Sequence, residues 1–308
     1  MFRIVTVPDQ DASLTEQLGT KQKFWFRDKE KRRWLFKEGR PNSGDDWSEK
    51  VASELCQLID IPHVEYDLAV WKGQKGVVSR TFVPEGGRLV LGNELLAEVI
   101  PGYPERKFFR VSQYTLKRVL NIVRNPEIKL PLNWKRFAPI ETALEVFIGY
   151  LMFDAWIANQ DRHHENWSLV VIRGGSVHLS PSYDHASSLG SNETDKNRKD
   201  RLAPRDKRRS MERYVERAIS AFYASPSSDK PSSTLAAFQE AGGISPQAAD
   251  AWLERLKHVS SRDIALIFDQ VPQERITPVA IEFAKRMLDL NRQRLLALQG
   301  AWTWLICT

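Results

Sequence analysis

Three polar side chains near the middle of the chain have the types and the spacing that phosphoryl transfer requires. Asp161 and Asn166 lie five residues apart, and Asp184 follows 23 residues after Asp161. Phosphoryl transfer needs a carboxylate that receives the proton of the attacking hydroxyl, together with oxygen ligands that hold Mg²⁺ against the phosphates. Mg²⁺ prefers carboxylate and amide oxygens. The three residues could therefore form a site that binds a metal and a phosphate.

The order of these residues is also informative. An Asp and an Asn five residues apart occur in many loops, where their side chains bond only to nearby backbone groups. Here the Asp, the Asn and the second Asp follow the D-x-x-x-x-N … D order of kinase catalytic sites. The elements around the loop could hold it rigidly. A long helix is predicted at residues 141–159, and a hairpin at residues 168–172 and 176–180.

The rest of the chain divides into a β-rich part and a helical part. Residues 24–26 and 34–37 predict a hairpin, and Asp46 with Glu49 predicts a capping box at the start of a helix. Two more strands are predicted at 66–71 and 76–82, a flexible junction at 83–87, and later helices at 211–223, 246–256 and 278–299.

This order of elements predicts an α+β, bilobal architecture. A small β-rich lobe (residues 1–83) would precede a larger, mainly helical lobe (residues 84–308). Ligands commonly bind in the cleft between two such lobes.

Composition indicates an ordinary globular protein. Of 308 residues, 42% are hydrophobic and 27% are charged, which is close to average usage. Cys56 and Cys307 lie far apart and predict no disulfide framework, which favours a reducing compartment. The N-terminus lacks the layout of a signal peptide, and the most apolar stretch, residues 143–153, is too short for a bilayer span. We expect a cytoplasmic protein with no membrane span.

The net charge of +6 comes from one segment. Residues 196–213 contain nine Lys and Arg and three Asp and Glu, a surplus of six that equals the surplus of the whole chain. Such a run suits an anionic partner, for example a phosphate, a nucleic acid or an acidic protein surface. A solvated loop with charges of both signs is an equally valid interpretation.

The segments 157–168 and 179–184 resemble the HipA-like kinases, bacterial serine/threonine kinases that include toxins of toxin–antitoxin systems. The family pattern is an Asn-x-Asp-x-His-x-x-Asn loop followed by a Pro-x-Tyr-Asp or Pro-x-Phe-Asp segment. The resemblance implies a protein-kinase-like fold in which Asp161 is the catalytic base, while Asn166 and Asp184 bind Mg²⁺.

The resemblance also covers His163 and the N-terminal part. His163 would orient Asp161 or contact the γ-phosphate of ATP, although a structural histidine remains an alternative. Lys37 would contact the α- and β-phosphates, and Glu49 would position it, with Glu54 as a second candidate. The other ATP-binding residues that the resemblance implies are a phosphate loop of Gly19, Thr20, Lys21 and Lys23, and a hinge with Arg80 and Phe82.

Several features depart from the patterns of eukaryotic protein kinases. There is no G-x-G-x-x-G loop and no His-Arg-Asp triplet, and Asp184-His185-Ala186 replaces Asp-Phe-Gly. The HipA-like family shares these departures. The chain resembles a compact or split version of HipA. The implied partners are a protein substrate, an antitoxin or complementary small subunit, and DNA bound indirectly through the antitoxin. Residues 185–210 would form the activation or substrate loop, with Arg205, Arg208 and Arg209 pairing with phosphate.

Three other functions are compatible with the sequence. Asp-Arg-His-x-x-Asn also resembles the catalytic loop of phosphoinositide-type lipid kinases, which would change only the substrate. A pseudokinase or DNA-associated regulatory protein would use the basic segment for binding alone. A metallohydrolase would use a cluster of histidines and a carboxylate as metal ligands, namely His163, His164, His178, Asp184 and His185.

Overall fold

The computed structural model describes residues 1–8, 14–15, 22–107 and 109–302. Its strands are β1 (Ile4–Thr6), β2 (Leu14–Thr15), β3 (Lys23–Arg27), β4 (Arg33–Glu38), β5 (Asp67–Trp71), β6 (Gln74–Arg80), β7 (Arg88–Leu91), β8 (Ile128–Lys129), β9 (Ser168–Val171) and β10 (Val177–Leu179). Its helices are α1 (Asp45–Leu58), α2 (Gly92–Val99), α3 (Leu116–Val123), α4 (Ala143–Ile157), α5 (Asp195–Leu202), α6 (Met211–Glu216), α7 (Thr234–Ile244), α8 (Pro246–Lys257), α9 (Ser261–Asp269) and α10 (Pro278–Leu296).

The first six strands form one sheet in the order β1-β5-β6-β4-β3-β2. The predicted hairpin is confirmed, because β3 and β4 pair antiparallel with Phe24 opposite Phe36. These two rings pack with Trp71 and Val78 in a buried cluster on one face of the sheet. Side chains alternate along a strand, so Lys37, which follows Phe36 on the central strand β4, lies on the opposite face.

Helix α1 packs on that opposite face, but its predicted capping box is wrong. The N-cap is Gly44, which has no side-chain cap bond, and the helix begins at Asp45. Both residues of the predicted box have other partners. The Asp46 carboxylate accepts a 2.6 Å hydrogen bond from buried Arg275, and the Glu49 carboxylate lies in the protein interior, with 1% of its side chain exposed.

Helix α4 is the centre of the larger lobe. It begins at the capping box formed by Thr142 and Glu145, and every residue from Ala143 to Ile157 except Glu145 is buried. The sequence predicted an apolar face, whereas the helix is surrounded on all sides by the lobe. Gly149 permits the close approach of Trp252, because a Cβ there would overlap the indole ring.

A second sheet, in the order β7-β9-β10-β8, lies in the larger lobe. The predicted hairpin is confirmed as β9 and β10, which pair antiparallel. The predicted helices that begin at Pro246 and Pro278 are confirmed as α8 and α10. Helix α6 is shorter than predicted, because the chain after Glu216 leaves the helix and the backbone N–H of Tyr223 instead bonds to the carbonyl oxygen of Tyr114.

The chain therefore has the mixed α+β, two-lobed organisation that the sequence predicted. Residues 81–87 connect β6 of the first sheet to β7 of the second; the division at residues 83 and 84 stays a prediction. None of the helices in the described ranges combines the length and the apolar character that a membrane crossing requires.

Candidate active site between the lobes

A cleft of about 450 Å³ lies between the β-rich lobe and the second sheet. It is lined by side chains that come from separate elements of both lobes. Eight residues predicted from the sequence contribute to its walls, namely Lys23, Lys37, Arg80, Phe82, Asp161, His163, Asn166 and Asp184. Glu49 lies behind this wall and pairs with one of its residues, Lys37. Gly19, Thr20 and Lys21 lie outside the described residues.

Lys37 is held at the back of the cleft by three oxygen atoms. Its Nζ lies 3.3 Å from the Asp184 carboxylate and 3.8 Å from the Glu49 carboxylate, and it donates a 3.2 Å hydrogen bond to the Tyr66 hydroxyl. Burial by itself would lower the pKa of Lys37, but Asp184, Tyr66 and Glu49 outweigh it and raise the pKa well above its ordinary value. Lys37 therefore carries a fixed positive charge. Tyr66 is a site residue that the sequence analysis missed.

Glu49 joins helix α1 to the segment after Asp184. One carboxylate oxygen pairs with Lys37, and the other accepts a 2.7 Å hydrogen bond from the backbone N–H of His185. Asp184 has a φ of 59°, a left-handed conformation that is uncommon outside glycine. Strained backbone of this kind persists where surrounding contacts fix it, and the bond from His185 to Glu49 is such a contact. Glu54, the second candidate, pairs with Lys50 instead.

Gly76 allows β4 to approach β6 beside Lys37. A Cβ at this position would overlap the carbonyl oxygen of Lys37 and the ring of Phe36. Overpacking of this kind costs about 1–3 kcal/mol, so we expect Gly76→Ala to lower the free energy of unfolding by that amount and to displace Lys37. Gly39→Ala is the matched control, because its Cβ would meet only ordinary contacts, the nearest at 3.5 Å. Urea denaturation measures the free energy of unfolding of both variants. Equal values would contradict the conclusion that the close approach of β4 to β6 requires glycine at position 76.

Asp161 and Asn166 lie at the ends of one short loop. The Asn166 side-chain amide donates a 2.6 Å hydrogen bond to the Asp161 carbonyl oxygen, and the Asn159 side chain accepts a 3.2 Å bond from the Asp161 backbone N–H. Because the Asn166 nitrogen is the donor, its amide oxygen is the atom that could bind a cation. The Asp161 carboxylate is partly exposed to the cleft and accepts a 3.4 Å hydrogen bond from Ser187.

A buried ion pair beneath this loop fixes its shape. The Arg162 guanidinium binds both carboxylate oxygens of Asp154, which is on α4. It also donates to the carbonyl oxygen of Asn166 at 3.0 Å and to the Ser182 hydroxyl at 2.9 Å. Arg162 therefore ties the helix, the loop and the segment before Asp184 together. The sequence analysis missed this pair. In a helix that is apolar on all sides, the spacing of the residues does not show whether an Asp such as Asp154 is buried or exposed.

Loss of the Asp154 charge should destabilise the fold strongly. Asp154→Asn leaves the Arg162 charge buried without its counter-ion, and breaking a buried pair in this way costs about 3–5 kcal/mol. Asp200→Asn removes half of a surface pair with Arg209, in which both side chains are about half exposed, and should cost about 1 kcal/mol or less. Urea denaturation of both variants tests this, and similar losses would contradict a structural role for Asp154.

His163 lies against Asp161. Its Nε2 is 3.9 Å from the Asp161 carboxylate, and its Nδ1 accepts a 3.2 Å hydrogen bond from the backbone N–H of Glu165. Burial lowers the pKa of His163 below its ordinary value, so the ring is neutral at pH 7. Since Nδ1 is the acceptor, the proton of the neutral ring is on Nε2, which faces Asp161. This arrangement is compatible with orientation of the carboxylate.

The predicted hinge is at the end of β6. Arg80 is the last residue of the strand, and the Phe82 ring stacks on Tyr183 with ring centroids 5.8 Å apart. The Tyr183 hydroxyl in turn donates a 2.8 Å hydrogen bond to the Glu165 carbonyl oxygen. Tyr183 thus links the hinge to the catalytic loop. Its position before Asp184 in the Pro-x-Tyr-Asp segment was the signal that could have identified it.

The histidines of the metallohydrolase interpretation have separate partners in the described part of the chain. His164 bonds to Tyr103, His178 lies in β10 beside the carbonyl oxygen of Leu130, and His185 bonds to Ser182. In the described ranges, no group of three His, Cys, Asp or Glu side chains could hold a metal ion.

The basic segment, residues 196–213, contains helical structure. Within residues 185–210, predicted as an activation or substrate loop, the structure forms α5 and a 3₁₀ turn at Lys207–Arg209. Arg208 pairs with Asp206 and Arg209 with Asp200, while Arg205 is exposed. The arrangement fits a solvated surface with charges of both signs.

Comparisons with known proteins identify the family and the fold. A family model described as the HipA-like C-terminal domain matches residues 15–262, which is more than half of the chain. The crystal structure of CtkA, a proinflammatory kinase of Helicobacter pylori, is similar with a TM-score of 0.67 and 19% identity, covering 94% of this chain and 99% of that one. HipA of Shewanella oneidensis MR-1, solved with HipB and operator DNA, is similar with a TM-score of 0.54 and 12% identity, covering 94% of this chain and 67% of that one.

At these identities the two structures show the fold alone, and they confirm the predicted bilobal, protein-kinase-like architecture. A search of curated proteins found no match to this chain. The family match covers most of the β-rich lobe and the loop that contains Asp161. The chain therefore belongs to the HipA-like C-terminal domain family and has a protein-kinase-like fold.

Proposed function

We propose that this chain transfers the γ-phosphoryl group of ATP to a serine or threonine hydroxyl of a protein, with Mg²⁺ as the required metal. The observation that carries the proposal is the convergence of Lys37, Asp161, Asn166 and Asp184 on one cleft. These residues come from a strand and from two loops that are far apart in the chain. Positioning and charge stabilisation account for most of the catalysis of phosphoryl transfer.

The cations of the β-rich lobe would bind the phosphates. Lys37 keeps its charge because it lies between Asp184 and Glu49, and Lys23 Nζ lies 3.6 Å from the same Asp184 carboxylate. An ammonium is a compact positive charge that suits phosphate oxygens. We assign Lys37 to the α- and β-phosphates and Lys23 to the phosphate loop, of which Gly19, Thr20 and Lys21 would be the other members.

The residues present fit Mg²⁺. Asp184 offers a carboxylate and Asn166 an amide oxygen, and both line the cleft beside Lys37. Hard oxygen ligands of this kind, few in number, are usual for a Mg²⁺ that is also bound by phosphates. Bound there, the ion would neutralise the charge that develops on the transferred group. Asp184 and Asn166 would hold it.

The surroundings of Asp161 support its assignment as the base. Its carboxylate opens to the cleft, while its backbone is fixed by Asn159 and Asn166. A base must lie within hydrogen-bond reach of the proton that it accepts. We assign Asp161 to orient the acceptor hydroxyl and to receive its proton, and His163 to orient Asp161. At the other end of the cleft, Arg80 and Phe82 would contact adenine.

The biological setting forms part of the same proposal. We divide the chain into lobes at residues 1–83 and 84–308 and place it in the cytoplasm. The structure of HipA was solved with HipB and operator DNA, which supports an antitoxin partner for this chain. Association with DNA would be indirect, and a complementary small subunit is the alternative partner.

Phosphoamino acid analysis tests the reaction. The purified protein, incubated with Mg²⁺, labelled ATP and a bacterial lysate, should produce phosphoserine or phosphothreonine. Asp161→Ala should not, and Asp229→Asn, a change of an exposed carboxylate, should behave as the wild type. Label that enters phosphoinositide vesicles but no protein would establish the lipid-kinase alternative. Absence of both transfer and ATP hydrolysis would leave a non-catalytic binding protein.

A further inference from the structure

The described residues 103–107 and 109–114, which we call the Phe109 loop, are bonded to the catalytic loop at Tyr103 and at Tyr114. The Tyr103 hydroxyl lies 2.8 Å from Nδ1 of His164. The Tyr114 hydroxyl donates a 3.0 Å hydrogen bond to the Arg162 carbonyl oxygen. Both tyrosines are buried. The ends of the Phe109 loop are therefore fixed relative to Asp161.

A third contact fixes the first half of the Phe109 loop. The side-chain amide of Asn93 donates to the Glu105 carbonyl oxygen at 3.2 Å and to the Glu165 carboxylate at 3.3 Å. Asn93 is itself buried. The backbone N–H of Lys107 closes a turn on the Pro104 carbonyl oxygen at 3.0 Å. The position of the tip is thus set by the same residues that surround the catalytic loop.

The tip presents a large apolar side chain to solvent. Phe109 is 64% exposed, although it lines the cleft and lies edge-on to the His163 ring at 6.4 Å between centroids. Arg110, the next residue, has a φ of 55°. A non-glycine residue rarely adopts this conformation without a structural or functional reason, and here it turns the chain immediately after Phe109.

Exposed charged residues lie near Phe109 in the chain and along the same cleft. Arg106, Lys107 and Arg110 are exposed on the Phe109 loop, together with one acid, Glu105. Arg88, also exposed, lines the same cleft. A positive surface of this kind attracts acidic groups and raises the rate of association with them.

We propose that the Phe109 loop is the docking element for the acceptor segment of a protein substrate. An apolar side chain close to the acceptor hydroxyl packs on the Phe109 ring, and acidic side chains nearby face Arg106, Lys107 and Arg110. The inference rests on the proposed function and adds the substrate class to it. The ring contacts His163, two residues after the proposed base, whereas Phe82 stacks on Tyr183 at the hinge. Phe109 therefore lies beside the acceptor rather than beside adenine.

A peptide library tests this proposal. Each peptide has a single Ser or Thr in degenerate sequence, with one flanking position at a time fixed as Leu, Glu or Lys. The wild type should favour Leu at one position near the acceptor and Glu at others. Phe109→Ala should lower kcat/KM for the Leu peptides by about tenfold, the lower end of the discrimination that an apolar contact provides. The loss should arise in the KM for peptide and not in the KM for ATP.

Two further variants separate the contribution of the Phe109 ring from that of the basic side chains. Leu266→Ala removes another large apolar side chain that is 52% exposed, on α9, and should keep the Leu preference. Lys107→Glu should reverse the preference for Glu over Lys while keeping that for Leu.

The possible outcomes separate this inference from the proposed function. A Leu preference that survives in Phe109→Ala would overturn the docking role, as would a wild type without any Leu preference. ATP hydrolysis without transfer to any peptide would overturn the docking role and leave nucleotide chemistry intact. Absence of both hydrolysis and transfer in the wild type would overturn the proposed function and this inference with it.

Discussion

Asp161→Asn should lower the rate of phosphoryl transfer by about 10²–10⁴-fold, the usual contribution of a positioned general base. The substitution keeps the size of the side chain and an acceptor for Ser187, but it removes the group that takes the proton. Because the carboxylate lies in the cleft and is partly exposed, the fold should not depend on its charge. We expect the loss in kcat, with the KM for ATP unchanged, measured by steady-state transfer of labelled phosphate.

Two controls separate a chemical role for Asp161 from a structural one. Asp229→Asn should transfer phosphate at the wild-type rate, since this carboxylate is exposed and distant in the chain from the cleft residues. The urea midpoint of Asp161→Asn should equal that of the wild type. A variant that loses activity only because it unfolds, or one that keeps full activity, would contradict the assignment of Asp161 as the base.

Asp184→Asn should lower transfer by at least about 10²–10³-fold, because it removes the carboxylate that we propose as the anionic ligand of the metal and as an electrostatic stabiliser of the transition state. Its kinetic signature should differ from that of Asp161→Asn. The carboxylate lies within 3.6 Å of both Lys23 and Lys37, so its loss also removes the group that positions the two lysines proposed to bind the phosphates. We therefore expect a higher Mg²⁺ concentration for half-maximal rate and a higher KM for ATP.

A titration of Mg²⁺ at fixed ATP measures this difference. Asp161→Asn should show the Mg²⁺ dependence of the wild type at a reduced maximal rate. Asp184→Asn should show a shifted dependence. Identical Mg²⁺ dependence in Asp184→Asn and the wild type would mean that Asp184 does not hold the metal.

The sequence was sufficient to predict the elements whose pattern is local. The β3–β4 hairpin, the β9–β10 hairpin and the helices that begin at Pro246 and Pro278 all follow from alternation, turn residues and helix-start signals. The fold class followed from their order. The spacing of Asp161, Asn166 and Asp184 was enough to predict that they meet, because a hairpin between the loop and Asp184 returns the chain to its start.

Side-chain partners that depend on packing between distant elements were not predictable. Tyr66, which precedes β5, reaches Lys37 on β4 although β6 lies between these two strands, and Asp154 meets Arg162 inside the lobe because α4 is buried on every side. Asp46 and Glu49 had the spacing of a capping box, yet tertiary contacts with Arg275, Lys37 and His185 took precedence over local capping. A local motif gives the chemical groups available, and the tertiary fold decides how they are used.

The exposed Phe109 is another residue whose role depends on tertiary contacts and could not be predicted from the sequence. It follows Phe108 in a short apolar pair between Lys107 and Arg110, and no periodic pattern marks it. Its significance comes from the contacts of Tyr103 and Tyr114, which fasten the Phe109 loop to the catalytic loop. Such a residue becomes visible only when the exposure of a side chain is considered together with what fixes its backbone.

A crystal structure with Mg²⁺ and a non-hydrolysable ATP analogue tests the central claim most directly. We predict one metal ion within about 2.0–2.1 Å of an Asp184 carboxylate oxygen and bound also by the Asn166 amide oxygen. Lys37 should contact the α- and β-phosphates, and the Asp161 carboxylate should face the γ-phosphate. A nucleotide bound outside the cleft, or a metal held without Asp184 and Asn166, would contradict the account.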